Sequence, residues 1–378
     1  MNFHTFHQRA ASGERLTIAF FGASLTWGAN ATDPQRTSYR ANVMRRFEHE
    51  YPNARFTAID GAIGGTGSDL GVFRLQRDCL AHTPDLVFLD FSANDDIRKD
   101  HLEKLQTYES LVRRILLEGK CPLVMMLFPF KWDATPGTAD EMAGRLAHLN
   151  IAAAYNVPVG DAILDIQNKV AADASVLEKI WDLDGMHPGD FGYQCFAESA
   201  WRAFQNAVAT CEGAPPQTTC HAPEKMLHGD AFMAWSRNRL TQLPLLPKGW
   251  KPAQPNRIAA WYDGLMSRWL DDELVTTAHE NPAPIEVRFE GSLVLLFGEE
   301  TPKSGKYRVE IDGVETHTID ASSARFGGNR NHLATLARGL AAGVVHTLKI
   351  TPVLEEGQEL RFESLCVAGG GAKVKRNN

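Results

Sequence analysis

No run of this sequence approaches the ~18 consecutive apolar residues of a membrane-crossing helix, so neither a membrane span nor a membrane partner is expected. Positive charge is not in excess: 39 Lys and Arg stand against 46 Asp and Glu, for a net charge of -7. The basic residues are scattered singly, which argues against nucleic acid as a partner. Met1 to Arg15 contain no apolar leader core. The chain as written therefore carries no secretory signal and is expected in the cytoplasm, or outside the cell if a leader has been removed. The six cysteines, Cys79, Cys121, Cys195, Cys211, Cys220 and Cys366, form no CxxC pair and cluster with no histidines, so no metal site is expected. Cys79, Cys121 and Cys195 fall in apolar segments and read as small buried hydrophobes. Cys211 and Cys220 flank a candidate linker and could pair in an oxidising compartment. The glycine-rich stretch Gly61 to Gly67 has neither a GxGxxG register nor a Gly-Lys-Ser/Thr ending, which argues against a phosphate cradle. No cofactor is expected.

What is present is enough for two cores: 378 residues, 44% of them hydrophobic, exceed what one compact core ordinarily holds. Leu16 to Phe21 reads as a buried strand, and it ends in Gly22-Ala23-Ser24 ahead of a turn and helix. The alternation continues with a helix over 37–51, a strand over 54–59, the glycine loop, a helix over 68–81 and a strand over 85–91 ending in Ser92-Ala93-Asn94-Asp95. A helix over 102–118, strand 122–128, helix 141–155 and a short strand at 157–159 follow. Continuous apolar strands separated by helices predict a parallel sheet with helices on both faces. Ligands bind such sheets at the carboxyl ends of the strands. Ser24, Gly65, Asn94 and the Phe128-Pro129-Phe130 turn all lie there. A base-like loop, Trp181 to Gly189, precedes a last helix over 190–209. Residues 212–225 are rich in Pro, Thr and Gly and read as a linker between a domain over 1–211 and another over 226–378. The second domain alternates with period two over Ile285–Phe289, Leu293–Phe297, Tyr307–Ile311, His346–Ile350 and Glu359–Phe362, with Asp312-Gly313 a hairpin signal. It reads as an all-β sandwich followed by a polar tail from Lys373 to Asn378.

A serine at a strand end is by itself turn chemistry, and Asp184-x-x-His187 by itself is a cap followed by a surface histidine. Together they suit a nucleophile and a general base held in one tautomer by a carboxylate. The blocks Gly22-Ala23-Ser24-Leu25-Thr26-Trp27-Gly28, Gly61-Ala62-Ile63-Gly64-Gly65, Ala93-Asn94-Asp95 and Asp184-Gly185-Met186-His187-Pro188 resemble those of the SGNH (GDSL-like) hydrolases, over roughly residues 15–210. That resemblance implies a flavodoxin-like doubly wound α/β sheet. It also implies Ser24 as nucleophile, His187 as base, Asp184 as its orienter, and an oxyanion hole from the Ser24 and Gly65 N–H groups and the Asn94 amide, with Gly64 the runner-up to Gly65. Two positions depart from the family pattern: Ala23 stands for aspartate, and Ser92 for the glycine that opens the asparagine block, adding bulk that disfavours a long acyl chain. The β domain resembles the jelly-roll modules of some carbohydrate esterases in the family. A serine esterase removing a short acyl group, acetyl in the first place, from a small-molecule or glycan ester is the expected function. A lysophospholipase or thioesterase is the rival, and a non-catalytic carbohydrate-binding protein the alternative of another class. Trp27, Phe130, Trp132 and Trp181 are candidate rim residues; Trp250, Trp261, Tyr262 and Trp269 are candidate sugar contacts in the second domain. Asp182 is a candidate substitute for Asp184. Oligomeric state is not legible.

Overall fold

The computed structural model describes residues 2–95, 97, 102–211, 220–256, 270–322 and 330–375. The chain divides into two compact units, Met1–Gly229 and Asp230–Asn378. In the first, strands β1 (Arg15–Gly22), β2 (Arg55–Ala62), β3 (Leu86–Asp90), β4 (Leu123–Leu127) and β5 (Val159–Asp161) form one sheet in the order β2-β1-β3-β4-β5. Every pairing is parallel, and the order is that of a flavodoxin-like sheet. Burial explains the direction of pairing, since β3 and β4 are buried at every position and need helices on both faces. Helices α1 (Phe3–Ala11), α2 (Ser24–Trp27), α3 (Tyr39–Glu50), α4 (Ser68–Asp78), α5 (Leu102–Arg114), α6 (Ala143–Ala154), α7 (Ala162–Ala172), α8 (Val176–Ile180) and α9 (Asp190–Cys211) complete the unit. One core cluster joins Phe6, Phe20, Phe47, Phe88, Phe128, Phe196 and Phe204. Helices α1, α7 and α8 are additions to the elements expected from sequence.

Of the segment read as a linker, residues 212–219 lie outside the described residues. Residues 220–229 fall within the first unit and are bonded to it: His221 N–H donates to the Tyr155 carbonyl at 3.0 Å and Arg113 to the Pro223 carbonyl at 2.6 Å. The buried Glu109 carboxylate accepts the Leu227 and His228 N–H groups at 2.7 and 2.8 Å.

The second unit is two antiparallel sheets around one core. Strands β6 (Trp235–Arg239), β7 (Lys251–Ala253), β8 (Glu273–Thr277), β10 (Leu293–Glu300), β13 (Arg330–Arg338) and β15 (Glu359–Ala368) make one sheet. Strands β9 (Ile285–Glu290), β11 (Lys306–Ile311), β12 (Val314–Asp320), β14 (Val345–Val353) and β16 (Lys373–Lys375) make the other. Ile285, Val287, Tyr307, Leu348 and Ile350 of one face meet Leu274, Leu296, Leu360 and Phe362 of the other in a single cluster. Asp312 and Gly313 have φ of 52° and 80°, the twisted two-residue turn that joins β11 to β12. Strands β6, β7, β8, β12, β13 and β16 are additions to the five expected from sequence. β12 is exposed along most of its length, and part of the presumed tail is β16, paired with β9.

Trp250 is not a sugar contact: it is 6% exposed, its indole N–H donates to the Ala283 carbonyl at 2.9 Å, and its ring lies on Phe362. Trp261, Tyr262 and Trp269 lie outside the described residues. The six cysteines are free thiols.

Candidate active site

β1 delivers Ser24 as the first residue of α2. The tightness of that turn depends on Gly22: a Cβ there would meet Thr26 Oγ1 at 2.2 Å and the Asp90 carbonyl at 2.5 Å. At the far end of α2, Gly28 sits at φ 98°, a left-handed cap that favours glycine. Ser24 Oγ lies 3.0 Å from His187 Nε2, although 163 residues separate them. His187 Nδ1 lies 3.3 Å from Asp184 Oδ2. The three side chains predicted as a triad are thus brought into one line.

Asp184 is well furnished with donors. Its Oδ1 accepts the N–H groups of Met186 and His187 at 2.7 and 2.6 Å, and its Oδ2 accepts Asn30 Nδ2–H at 2.8 Å. Burial pushes this carboxyl up, but the hydrogen bonds from His187, Asn30 and Met186 outweigh it and hold it below the usual carboxylate range. Asn30 escapes sequence reasoning, because no local spacing links it to a loop 154 residues on. Asp182 is exposed and makes no hydrogen bond to His187.

The expected oxyanion donors stand open. Among the described residues, the N–H groups of Ser24 and Gly65 and the side-chain amide of Asn94 have no protein acceptor. Gly65 is exposed with φ 71°, and the Asn94 backbone N–H is taken by the Phe91 carbonyl at 3.0 Å. Two buried carboxyls flank Asn94. Asp90 Oδ2 accepts Thr26 Oγ1–H at 3.1 Å, tying α2 to the end of β3. Asp95 Oδ1 accepts the Ser68 N–H at 2.8 Å and so caps α4 behind the glycine loop. Burial pushes Asp90 up to about 7 against the hydrogen bonds from Thr26 and Ser92, and pushes Asp95 up to about 7 against the attraction of Lys104. Ser92 is tied down beside Asn94. Its Oγ accepts the Phe128 N–H at 3.1 Å and lies 3.5 Å from Asp90 Oδ1, so the hydroxyl is spent joining β3 to β4.

The rim divides in two. Trp27 and Trp181 are 7% and 2% exposed and offer no ring to a ligand. A large apolar ring near a strand end gains more by packing inward than by standing in water. Trp132 is 61% exposed, with its ring 4.8 Å from that of the half-buried Phe130. It borders the base loop: a Cβ at Gly185 would lie 3.2 Å from it, and Lys131 N–H donates to the Gly185 carbonyl at 2.8 Å. Leu183 and Met186 of the same loop are 74% and 41% exposed. No group of His, Cys, Asp and Glu suited to a metal ion occurs among the described residues.

Residues 20–195 match the family described as GDSL-like Lipase/Acylhydrolase. No curated protein sequence matches the chain. Among solved structures, a two-domain esterase active on acetylated mannans, co-crystallised with mannopentaose, is similar over 98% of this chain and 95% of its own. Its TM-score is 0.78 at 22% identity, a likeness of fold. An acetylxylan esterase from Geobacillus stearothermophilus is similar over 50% of this chain and 94% of its own, at 23% identity and TM-score 0.40.

Proposed function

We propose that the chain, whose residues 20–195 match the GDSL-like lipase/acylhydrolase family, is a hydrolase of carboxylic esters that removes short acyl groups, acetyl above all, from a carbohydrate. The observation that carries this is the line from Ser24 Oγ to His187 Nε2 at 3.0 Å and on from Nδ1 to Asp184. With Asp184 ionised, His187 keeps its proton on Nδ1 and offers the Nε2 lone pair to Ser24. Ser24 attacks the ester carbonyl as His187 takes its proton. The oxyanion that forms is held by the Ser24 and Gly65 N–H groups and the Asn94 amide, each contributing on the order of 3 kcal/mol. His187 then protonates the departing alcohol, and water, deprotonated by the same nitrogen, frees the acid from Ser24.

The exposed Trp132 and its neighbour Phe130 supply a stacking face beside the base loop, suited to a sugar ring. A two-domain esterase of the same fold acts on acetylated mannans, and an acetylated glycan is accordingly the favoured substrate. The exposed Leu183 and Met186 on the same loop favour a second reading, an acyl chain of lipid length. Turnover of p-nitrophenyl acetate and p-nitrophenyl octanoate, with acetate release from acetylated manno- and xylo-oligosaccharides, decides between them. Preference for acetate with release from the oligosaccharides supports the glycan reading, and preference for octanoate supports the lipid one. Turnover of none overturns both and leaves a binding protein.

A further inference from the structure

Asn30 lies six positions beyond Ser24 and reaches the opposite partner of the constellation. Its Nδ2 donates to Asp184 Oδ2 at 2.8 Å and to the His187 carbonyl at 3.3 Å. Both neighbours are acceptors, so only the NH2 face of the amide can point at them. The contact to Asp184 is shorter than the 3.3 Å between that same oxygen and His187 Nδ1. Asn30 is also held in place: its φ is 68°, in the left-handed region that asparagine tolerates better than most residues. The preceding Ala29 carbonyl accepts the buried Tyr193 hydroxyl at 2.6 Å. Thr32 donates its N–H and its hydroxyl to Asp190 at 2.9 and 2.6 Å.

We propose that Asn30 is a positioning residue for the Asp184–His187 pair, its amide orienting the carboxylate oxygen that faces His187 Nδ1 and latching the base loop to the nucleophile turn. This rests on the serine-esterase reading. With Oδ1 tied to two backbone N–H groups and Oδ2 tied to Asn30, the carboxylate cannot rotate. The imidazole that leans on it keeps its Nε2 on Ser24. Asn30 acts through Asp184 and touches no reacting atom.

The test uses Asn30→Gly, which suits the left-handed backbone and removes the side chain that bonds Asp184, beside Thr32→Ala, which loosens the same segment without touching Asp184 or His187. For Asn30→Gly, kcat on p-nitrophenyl acetate is expected to fall about tenfold or more with KM unchanged within about twofold. The acidic limb of its kcat profile should move to higher pH, because the carboxylate loses a bond that favours its charged form. The downfield His187 Nδ1 proton resonance should shift in Asn30→Gly and stay in Thr32→Ala. Unchanged kcat, pH profile and resonance in Asn30→Gly overturn the proposal, and so does an equal kcat loss in Thr32→Ala, which would reduce Asn30 to a tether. If the native protein turns over no ester, the esterase reading fails, and the resonance comparison still decides the role of Asn30.

Discussion

Ser24 is 7% exposed, and its hydroxyl is the part of its side chain that the proposed esterase reading uses as nucleophile. Ser24→Ala deletes that oxygen and no packing, so ester turnover should vanish while the melting temperature hardly moves. Retention of more than about a tenth of the activity would leave Ser24 a turn serine. Asn94 is the complementary case. Its side-chain amide has no acceptor among the described residues, as the proposed oxyanion role requires. Asn94→Ala should lower kcat by ~10² with little change in KM, and a raised KM with unchanged kcat would make it a substrate-binding residue instead. The difference between the two assignments of aromatic rim is instructive at this scale: Trp132 and Trp181 are the same residue type near the same loop, but one is 61% and the other 2% exposed. Residue type carries no information about which side of a loop faces water.

Side chains join the elements under the site in addition to the backbone ladder of the sheet. Thr26, Asp90, Ser92 and the Phe128 N–H form a chain of contacts from α2 through the ends of β3 and β4. Asp90 is pushed up to about 7 by burial, well above the ordinary carboxylate range near 3.9 of an unfolded chain. Between those values the folded protein holds a proton that the unfolded chain has lost. Stability from this group is therefore full below pH ~4 and declines, by up to about 1.4 kcal/mol per pH unit, as pH rises toward 7. Asp95, raised in the same way, adds to the trend. Asp90→Asn retains an acceptor for Thr26 and removes the titration. Urea unfolding at several pH values between about 4 and 7 should give a shallower loss of stability for the variant than for the native protein. Equal slopes would show that Asp90 is charged throughout.

For the molecule as a whole, the boundary of the catalytic unit is set by hydrogen bonds rather than by composition. Glu109 is buried and accepts from Tyr155, Leu227 and His228, while Gln106 donates to the His228 carbonyl at 2.8 Å. A chain ending at Cys211 keeps Tyr155 but loses the Leu227 and His228 N–H donors to the buried carboxylate, at about 1–3 kcal/mol for each bond left unmade. A chain ending at Gly229 keeps them. The 1–229 fragment should unfold cooperatively, and the 1–211 fragment should melt on the order of 10 °C lower or fail to remain soluble. Equal melting temperatures would make 220–229 a passive strap.

The flavodoxin-like alternation was readable because fully buried parallel strands such as Leu86–Asp90 and Leu123–Leu127 must be apolar throughout. The hairpin at Asp312-Gly313 was readable because only a few residues accept positive φ twice in succession. Asp184 and His187 were readable because they lie within one loop. Strands β12 and β16 were hidden because neither has a fully buried position to mark an apolar face, and residues 220–225 because they looked like linker. Only the folded chain could assign Asn30 to Asp184, Thr26 to Asp90 and Asp95 to Ser68, since each pair spans from 27 to 154 positions. A hydrogen bond across such distances leaves no periodicity behind; it exists because the parallel strands bring their carboxyl ends to one rim, and the side chains that find one another there are chosen by that geometry.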